Sequence, residues 1–375
     1  MNLELTPEQL LLRDSVRRFL ADGAPARRAP LAAGEPDQTA DAGWRGLAGI
    51  GVTGVLVAEK QGGAGLTMTE AGIAAEELGR ALAFGAWLPT AVAVPRALAR
   101  TGAADRAEPL LAAIADGTVI ATIGLRDAAA PRVAAFESQA GTVVTGKVSE
   151  VPGAAAASVL LVLAADGDGT GLFAVDIPSP GVTVTPLPAI DQSRRRFRVL
   201  LDGAPASRLG TATAEAIQAV VDDVLAVTAA DALGAAQAAL DLAVEYAKTR
   251  TQFGRPVGAF QAVQHLCADM HETVELARGG VMHALWAADA ADAAERHLAA
   301  IRVKAFAGQL AAVGEAAIQV LGGIGYTWEH DAHRYLRRLL SWSAFLGSPD
   351  GYLREIGSGL AQGARTQRST AARGH

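Results

Sequence analysis

The hydrophobic pattern opens on a helical period. Thr6-Pro7-Glu8-Gln9 places a capping hydroxyl before a proline at the first helical position, with Gln9 set to close a capping box. Leu10, Leu11, Val16, Phe19 and Leu20 then recur at helical spacing. Further helices are predicted at 40–48, 69–82, 88–100 and 108–115, with a loop at Gln61-Gly62-Gly63-Ala64-Gly65. Near Thr118 the pattern shortens to runs of β-branched and aliphatic residues at 119–124, 143–145, 159–163, 172–177, 182–186 and 196–201. Asp166-Gly167-Asp168-Gly169 and Pro178-Ser179-Pro180-Gly181 separate some of them, which predicts an antiparallel barrel or sandwich. From Thr213 long alanine- and leucine-rich periods return at 214–245, 259–289, 293–321 and 331–345, broken at 254–258 and 322–325. Helices this long lying side by side imply a bundle. The expected domains are therefore helical (1–117), β (118–210) and helical (211–375), an α+β organisation, with a polar tail at 367–375 expected to fray.

Composition sharpens this picture. Half of the 375 residues are hydrophobic but only 5% aromatic, and much of the apolar share is alanine, the strongest helix former. Cys267 is the single cysteine, so an internal disulfide or a CxxC zinc site is excluded. With 33 basic and 39 acidic side chains the net charge is −6, which argues against nucleic acid. The N-terminus lacks the basic and apolar regions of a signal peptide. The most apolar stretch, 154–165, is too short to span a bilayer, so a cytoplasmic protein with no membrane partner is expected.

Two stretches carry the chemistry. One is Tyr246-Ala247-Lys248-Thr249-Arg250-Thr251-Gln252-Phe253-Gly254-Arg255-Pro256 with Phe260-Gln261 after it. The other is Ile318-Gln319-Val320-Leu321-Gly322-Gly323-Ile324-Gly325-Tyr326. Arg250 is a permanent cation with a planar donor fork suited to a diphosphate. Gly322 and Gly323 would let backbone N–H groups approach phosphate oxygens. Alone, the glycine loop could merely end a helix. Together, behind a β domain, the two stretches resemble the acyl-CoA dehydrogenase family. Trp44, Gly62-Gly63-Ala64-Gly65-Leu66 and Glu76-Glu77-Leu78-Gly79-Arg80 fit the same family.

The resemblance implies a helical domain, a central β domain and a C-terminal four-helix bundle, with FAD shared across a subunit boundary. It implies oxidation of the Cα–Cβ bond of an acyl-CoA thioester: a glutamate takes the α-proton and the β-hydrogen leaves as hydride to the flavin. By the same resemblance Arg250, Phe253, Phe260, Gln261, Gln319, Gly322 and Gly323 would contact the neighbouring subunit's FAD. Asp222 and Gly347 would lie near the acyl-CoA.

Other positions depart from the family. The glutamate's usual site falls on Leu346, within Phe345-Leu346-Gly347-Ser348, and its alternative site on Val224. Neither side chain can accept a proton; Asp222 is the weak substitute. The stretch matching the family's Thr-Glu-Pro is Gly124-Leu125-Arg126-Asp127-Ala128. Its flavin-contacting Trp-Ile-Thr is matched by Glu150-Val151-Pro152, where proline has no N–H to donate. One half of the flavin site thus reads as lost and the other as kept. That asymmetry resembles the glutamate-lacking subunit of heterotetrameric, steroid side-chain acyl-CoA dehydrogenases, an α2β2 assembly whose acceptor would be an electron-transfer flavoprotein. The alternatives are a self-sufficient homomer using Asp222, or a non-catalytic acyl-CoA-binding or scaffold subunit.

Remaining features read as structural. Arg194, Arg196 and Arg198 alternate on a predicted strand opposite Phe197 and Val199. A solvated sheet face is expected, although CoA phosphates or an acidic partner would suit them. His330 and His333 have no third ligand for a metal, and no hydrolase triad surrounds Ser343 or Ser348.

Overall fold

A computed structural model describes residues 4–22, 38–83, 85–139, 141–167 and 169–373, with the side chains of 38–42 and 363–373 left aside. The N-terminal helices are α1 (Pro7–Asp22), α2 (Gln38–Gly49), α3 (Met68–Arg80), a π-helical turn at Leu88–Ala93 running into α4 (Val94–Arg100), and α5 (Glu108–Ala115). The capping box at α1 forms as expected: Thr6 N–H donates to Gln9 Oε1 at 3.0 Å and Gln9 N–H to Thr6 Oγ1 at 3.3 Å.

The eight strands are β1 (Ala121–Ile123), β2 (Val133–Ser138), β3 (Gly141–Pro152), β4 (Val159–Asp166), β5 (Gly169–Asp176), β6 (Val182–Pro186), β7 (Arg196–Pro205) and β8 (Ser207–Thr211). Seven of them run in the order β6-β7-β3-β2-β4-β5-β8, and β1 pairs with β4 off this path. Most ladders are antiparallel, but β1 lies parallel to β4 at Ala121–Ile123 and β2 meets it in parallel at Ala134, so the sheet is mixed. Side-chain alternation on β4 divides two cores. Leu160, Val162 and Ala164 pack inside the sheet with Phe173 and Val199, whereas Leu161 and Leu163 pack on the N-terminal helices.

The bundle is built on α6 (Ala214–Thr249), α7 (Gln261–Ala290), α8 (Ala293–Ala305), α9 (Ala307–Leu321) and α10 (Ala332–Ala344). A break at Phe306 divides the helix that the sequence pattern drew as continuous. The stretch Ala293–Tyr326 is long and apolar enough to cross a bilayer by composition, but half of its most apolar window is buried in the protein. A further helix, α11 (Pro349–Arg373), takes in most of the polar tail expected to fray.

The Glu76–Arg80 motif joins the helical layers. Glu76 pairs with Arg278 of α7 at 2.7 Å, Glu77 with Arg17 of α1 at 2.6 Å, and Arg80 with Asp241 of α6 at 2.5 Å. Gly79 and Gly234 lie where α3 crosses α6, and a Cβ on either would collide with a backbone carbonyl of the other helix. Small residues are thus required for this crossing.

Candidate functional site

The β9–β10 hairpin (Thr251–Gln252 with Arg255–Pro256) follows α6 and carries one retained stretch. Arg250 is exposed at the C-cap of α6 and has no ion-pair partner among the described residues. Phe253 is 91% exposed and stands edge-on to Phe260, with ring centroids 6.2 Å apart. The Arg255 guanidinium covers the Phe260 ring at 4.1 Å. Gln261 opens α7 and is exposed. The second stretch ends α9, where exposed Gln319 precedes a 3-10 turn at Gly322–Tyr326. No atom lies within 4 Å of where a Cβ on Gly322 or Gly323 would stand, so this backbone is open to an incoming oxyanion. Ile324, Tyr326 and Trp328 are exposed beside it. An open backbone, an unpaired guanidinium and two amides fit a diphosphate.

The departures also converge. Val224 on α6, Leu346 beyond α10, Leu125 and Arg126 after β1, and Glu150 and Pro152 on β3 all line one pocket of about 20 Å³ with Phe345. That volume holds about one water molecule. Val224 belongs to the buried core, with Phe345 and Leu346 packed against it. Glu150 pairs with Arg196 at 3.2 Å and Arg126 at 3.7 Å. Arg196 reaches on to Ser341 Oγ at 2.9 Å and lies over the Phe345 ring at 5.3 Å. A chain of contacts therefore ties the sheet to the bundle. Glu150 (φ 52°), Leu346 (φ 54°) and Phe253 (φ 52°) are three of the four non-glycine residues with left-handed backbone among the described residues. Each costs roughly 1–2 kcal/mol. Such strain collects at functional places, and all three are positions that sequence matching singled out.

Asp222 and Gly347 lie apart from that pocket. Asp222 is buried and accepts hydrogen bonds from Gln218 Nε2 at 3.0 Å and the His297 ring at 2.8 Å. The other His297 nitrogen meets Glu355 of α11 at 2.9 Å. The Asp222 hydrogen bond, with that of Glu355, raises the His297 pKa to about 9 against the cost of burial. The neighbouring Asp223 is held by Arg96 at 2.7 Å and Arg100 at 2.9 Å. Gly347 packs on the Tyr352 ring, whose hydroxyl donates to the Leu346 carbonyl at 2.7 Å. Sequence reasoning found no signal for this helix-to-loop tether.

A larger cavity of about 900 Å³ opens on the other side of Pro152, between the sheet and the bundle. Arg338, 2% exposed, bridges Asp191 at 2.6 Å and Asp231 at 2.8 Å on its wall. Burial pushes the Arg338 pKa down, but the two carboxylates outweigh it and hold it above its ordinary value. Arg194 pairs with Asp231 in the same network. The arginines expected to form a solvated sheet face are therefore divided. Arg198 is exposed; Arg194 precedes the strand, and it and Arg196 turn inward because this end of β7 abuts the bundle.

The helical regions match two family models: the acyl-CoA dehydrogenase N-terminal domain over residues 6–118 and the acyl-CoA dehydrogenase C-terminal domain over residues 216–360. The chain belongs to the acyl-CoA dehydrogenase family. It is 31% identical over 363 residues to the acyl-CoA dehydrogenase IpdE2 of Mycobacterium tuberculosis, covering 94% of this chain and 98% of that one. It is 38% identical over 373 residues to the acyl-CoA dehydrogenase FadE34 of the same organism, covering 96% of this chain but only 49% of FadE34, about half its length. Among solved structures, a variant of the Tcur3481-Tcur3483 steroid ACAD superposes with a TM-score of 0.85 at 32% identity, covering 96% of this chain and 99% of that one. The ChsE4-ChsE5 complex from Mycobacterium tuberculosis gives a TM-score of 0.85 at 27% identity, with the same coverage. The family uses FAD.

Proposed function

We propose that this chain is the base-lacking subunit of a heteromeric acyl-CoA dehydrogenase and completes the FAD site of a glutamate-bearing partner. One observation carries the reading. Both positions where the base is expected, Val224 and Leu346, line a single pocket with room for about one water, while Arg250, Gln319, Gly322 and Gly323 stand exposed on the surface. In this arrangement Arg250 would hold the diphosphate as a fixed cation, with backbone N–H groups of Gly322 and Gly323 and the Gln261 and Gln319 amides beside it. The exposed Phe253 would cover apolar surface of the partner or its cofactor. The FAD would supply hydride acceptance. This chain's own slot is a poor flavin seat, because Pro152 donates no hydrogen bond and Glu150 adds a negative charge where electrons arrive.

The heteromeric and steroid ACAD relatives favour an unlike partner and a bulky acyl-CoA substrate. An electron-transfer flavoprotein is the expected acceptor, and an α2β2 assembly the expected stoichiometry. A self-sufficient homomer using Asp222 is the weaker reading, since His297 and Gln218 engage that carboxylate and it lines neither cavity. The test is to purify the chain alone and with a glutamate-bearing homologous subunit, and to record flavin absorbance, mass and acyl-CoA oxidation. Flavin and turnover only in the complex are expected. Stoichiometric FAD with dehydrogenation by the lone chain would sink the proposal.

A further inference from the structure

We infer that α11 is a releasable latch that holds the pocket at Val224 and Leu346 to the size of about one water. Between Ala344, the last residue of α10, and Pro349, the first of α11, lie only Phe345, Leu346, Gly347 and Ser348. The α10 end of this loop is pinned, because the buried Lys304 ammonium donates to the Trp342 carbonyl and, at 3.0 Å, to the Ser343 carbonyl. So short a loop has little slack, and a displacement of α11 passes to Leu346. Tyr352 stiffens the connection: its ring packs on Gly347 and its hydroxyl donates to the Leu346 carbonyl at 2.7 Å.

The first turns of α11 make the dock. Glu355 meets the His297 ring at 2.9 Å, and Asp222 on α6 holds the other ring nitrogen at 2.8 Å. The helix packs mainly on α8, and residues 357–362 are all exposed. Gly351, Gly357 and Gly359 lower its intrinsic helicity. Little burial and weak propensity put such an element at the low-stability end of a fold, where it opens without the core. The loop itself favours release. Leu346 is held at φ 54°, a left-handed conformation that a residue with a Cβ leaves once it is free to do so. Docked α11 thus keeps Leu346 as a wall of the pocket of about 20 Å³. Release lets Leu346 withdraw from Leu125, Val224 and Phe345, which opens an apolar recess between them. The latch does not depend on which subunit holds the flavin.

The test is hydrogen exchange of the full chain, followed by mass spectrometry, in variants that cut each end of the latch. Tyr352→Phe keeps the ring on Gly347 and removes only the hydroxyl. Glu355→Ala frees α11 from His297 and leaves the Asp222–His297 pair in place. Each should speed exchange of the α11 amides about tenfold, as expected for one lost hydrogen bond, while α6 is unchanged. Glu355 is held by His297 and not by the loop, so the decisive reporter is the Phe345 amide, which donates to the Trp342 carbonyl at 3.0 Å. Glu355→Ala should speed exchange in peptides containing that amide about tenfold. Coupling must also run the other way. Leu346→Trp, too large for a pocket with room for about one water, should loosen α11 to a similar degree. Lys60→Ala, which breaks an exposed pair with Asp105, is the control and should change neither segment. An unchanged Phe345 amide in Glu355→Ala, or unchanged α11 amides in a folded Leu346→Trp chain, would each overturn the inference. So would α11 amides that exchange as slowly as those of α6 in the parent chain. Should Leu346→Trp fail to fold, Glu355→Ala decides alone.

Discussion

Val224 on α6 and Leu346 after α10 are 122 positions apart in sequence (346 − 224) and wall the same pocket. Two apolar side chains thus meet where the family resemblance leads one to expect a carboxylate. Val224 is 1% exposed, so Val224→Glu should bury a charge in space for about one water. We expect a loss of about 3–5 kcal/mol at neutral pH, shrinking as acid protonates the new group. Leu346→Glu sits in a half-buried loop and should cost less, with no dehydrogenation by the lone chain. Urea unfolding at pH 5 and 7.5, with an acyl-CoA oxidation assay, checks both.

Arg250→Ala should separate stability from cofactor holding. The side chain is exposed and unpaired among the described residues, so the chain's own stability should change by no more than about 0.5 kcal/mol. The flavin content of the complex should fall. Unchanged flavin absorbance per complex, at unchanged mass, would instead favour a scaffold subunit that contributes nothing to the cofactor.

Much of this site was legible because its residues sit in contiguous motifs. Leu125, Arg126, Glu150, Pro152, Val224, Phe345 and Leu346, read from separate stretches, line one pocket. What escaped was non-local or propensity-poor. β2 (Val-Ala-Ala-Phe-Glu-Ser) carries few β-branched residues, and its pairing with β3 supplies the order. α11 begins with Gly351, Gly357 and Gly359 among its residues, which weakens any helical signal, yet Glu355 and Tyr352 anchor it to His297 and Leu346. The break at Phe306 has no proline and only Gly308, two residues on, to announce it. The inward turn of Arg194 and Arg196 depends on helices 30 or more residues away in sequence, Asp231 among their partners.

The α3–α6 crossing gives a paired prediction. Gly79→Ala and Gly234→Ala each drive a methyl group into a facing backbone carbonyl, and neither carbonyl can yield without separating the helices. Each should cost about 3 kcal/mol or more. Gly279→Ala, on α7 with nothing within 4 Å of the new Cβ, should stabilise by about 0.5–1 kcal/mol through helix propensity alone. Denaturant midpoints of the three variants test the contrast; equal effects at all three sites would contradict the crossing geometry.

Stability against pH should reveal two opposing groups. His297 is raised from 6.5 to about 9 by Asp222 and Glu355, so its stabilisation is complete below about 6.5 and is lost as pH rises through about 9. With its side chain 30% exposed and Glu355 51% exposed, a contribution of about 1–2 kcal/mol is expected after solvent screening. Lys304 behaves in the reverse sense. It is fully buried, donates to the Ser343 carbonyl at 3.0 Å, and burial, with Arg196 nearby, lowers its pKa from 10.5 to about 7. Its folded state releases a proton that the unfolded chain retains, so stability rises with pH between about 7 and 10.5. In the parent chain the two slopes partly cancel between pH 7 and 9. His297→Gln should expose a rising stability over that window and Lys304→Met a falling one. Urea midpoints at half-unit pH steps measure both, and slopes of the same sign in the two variants would refute the assignment.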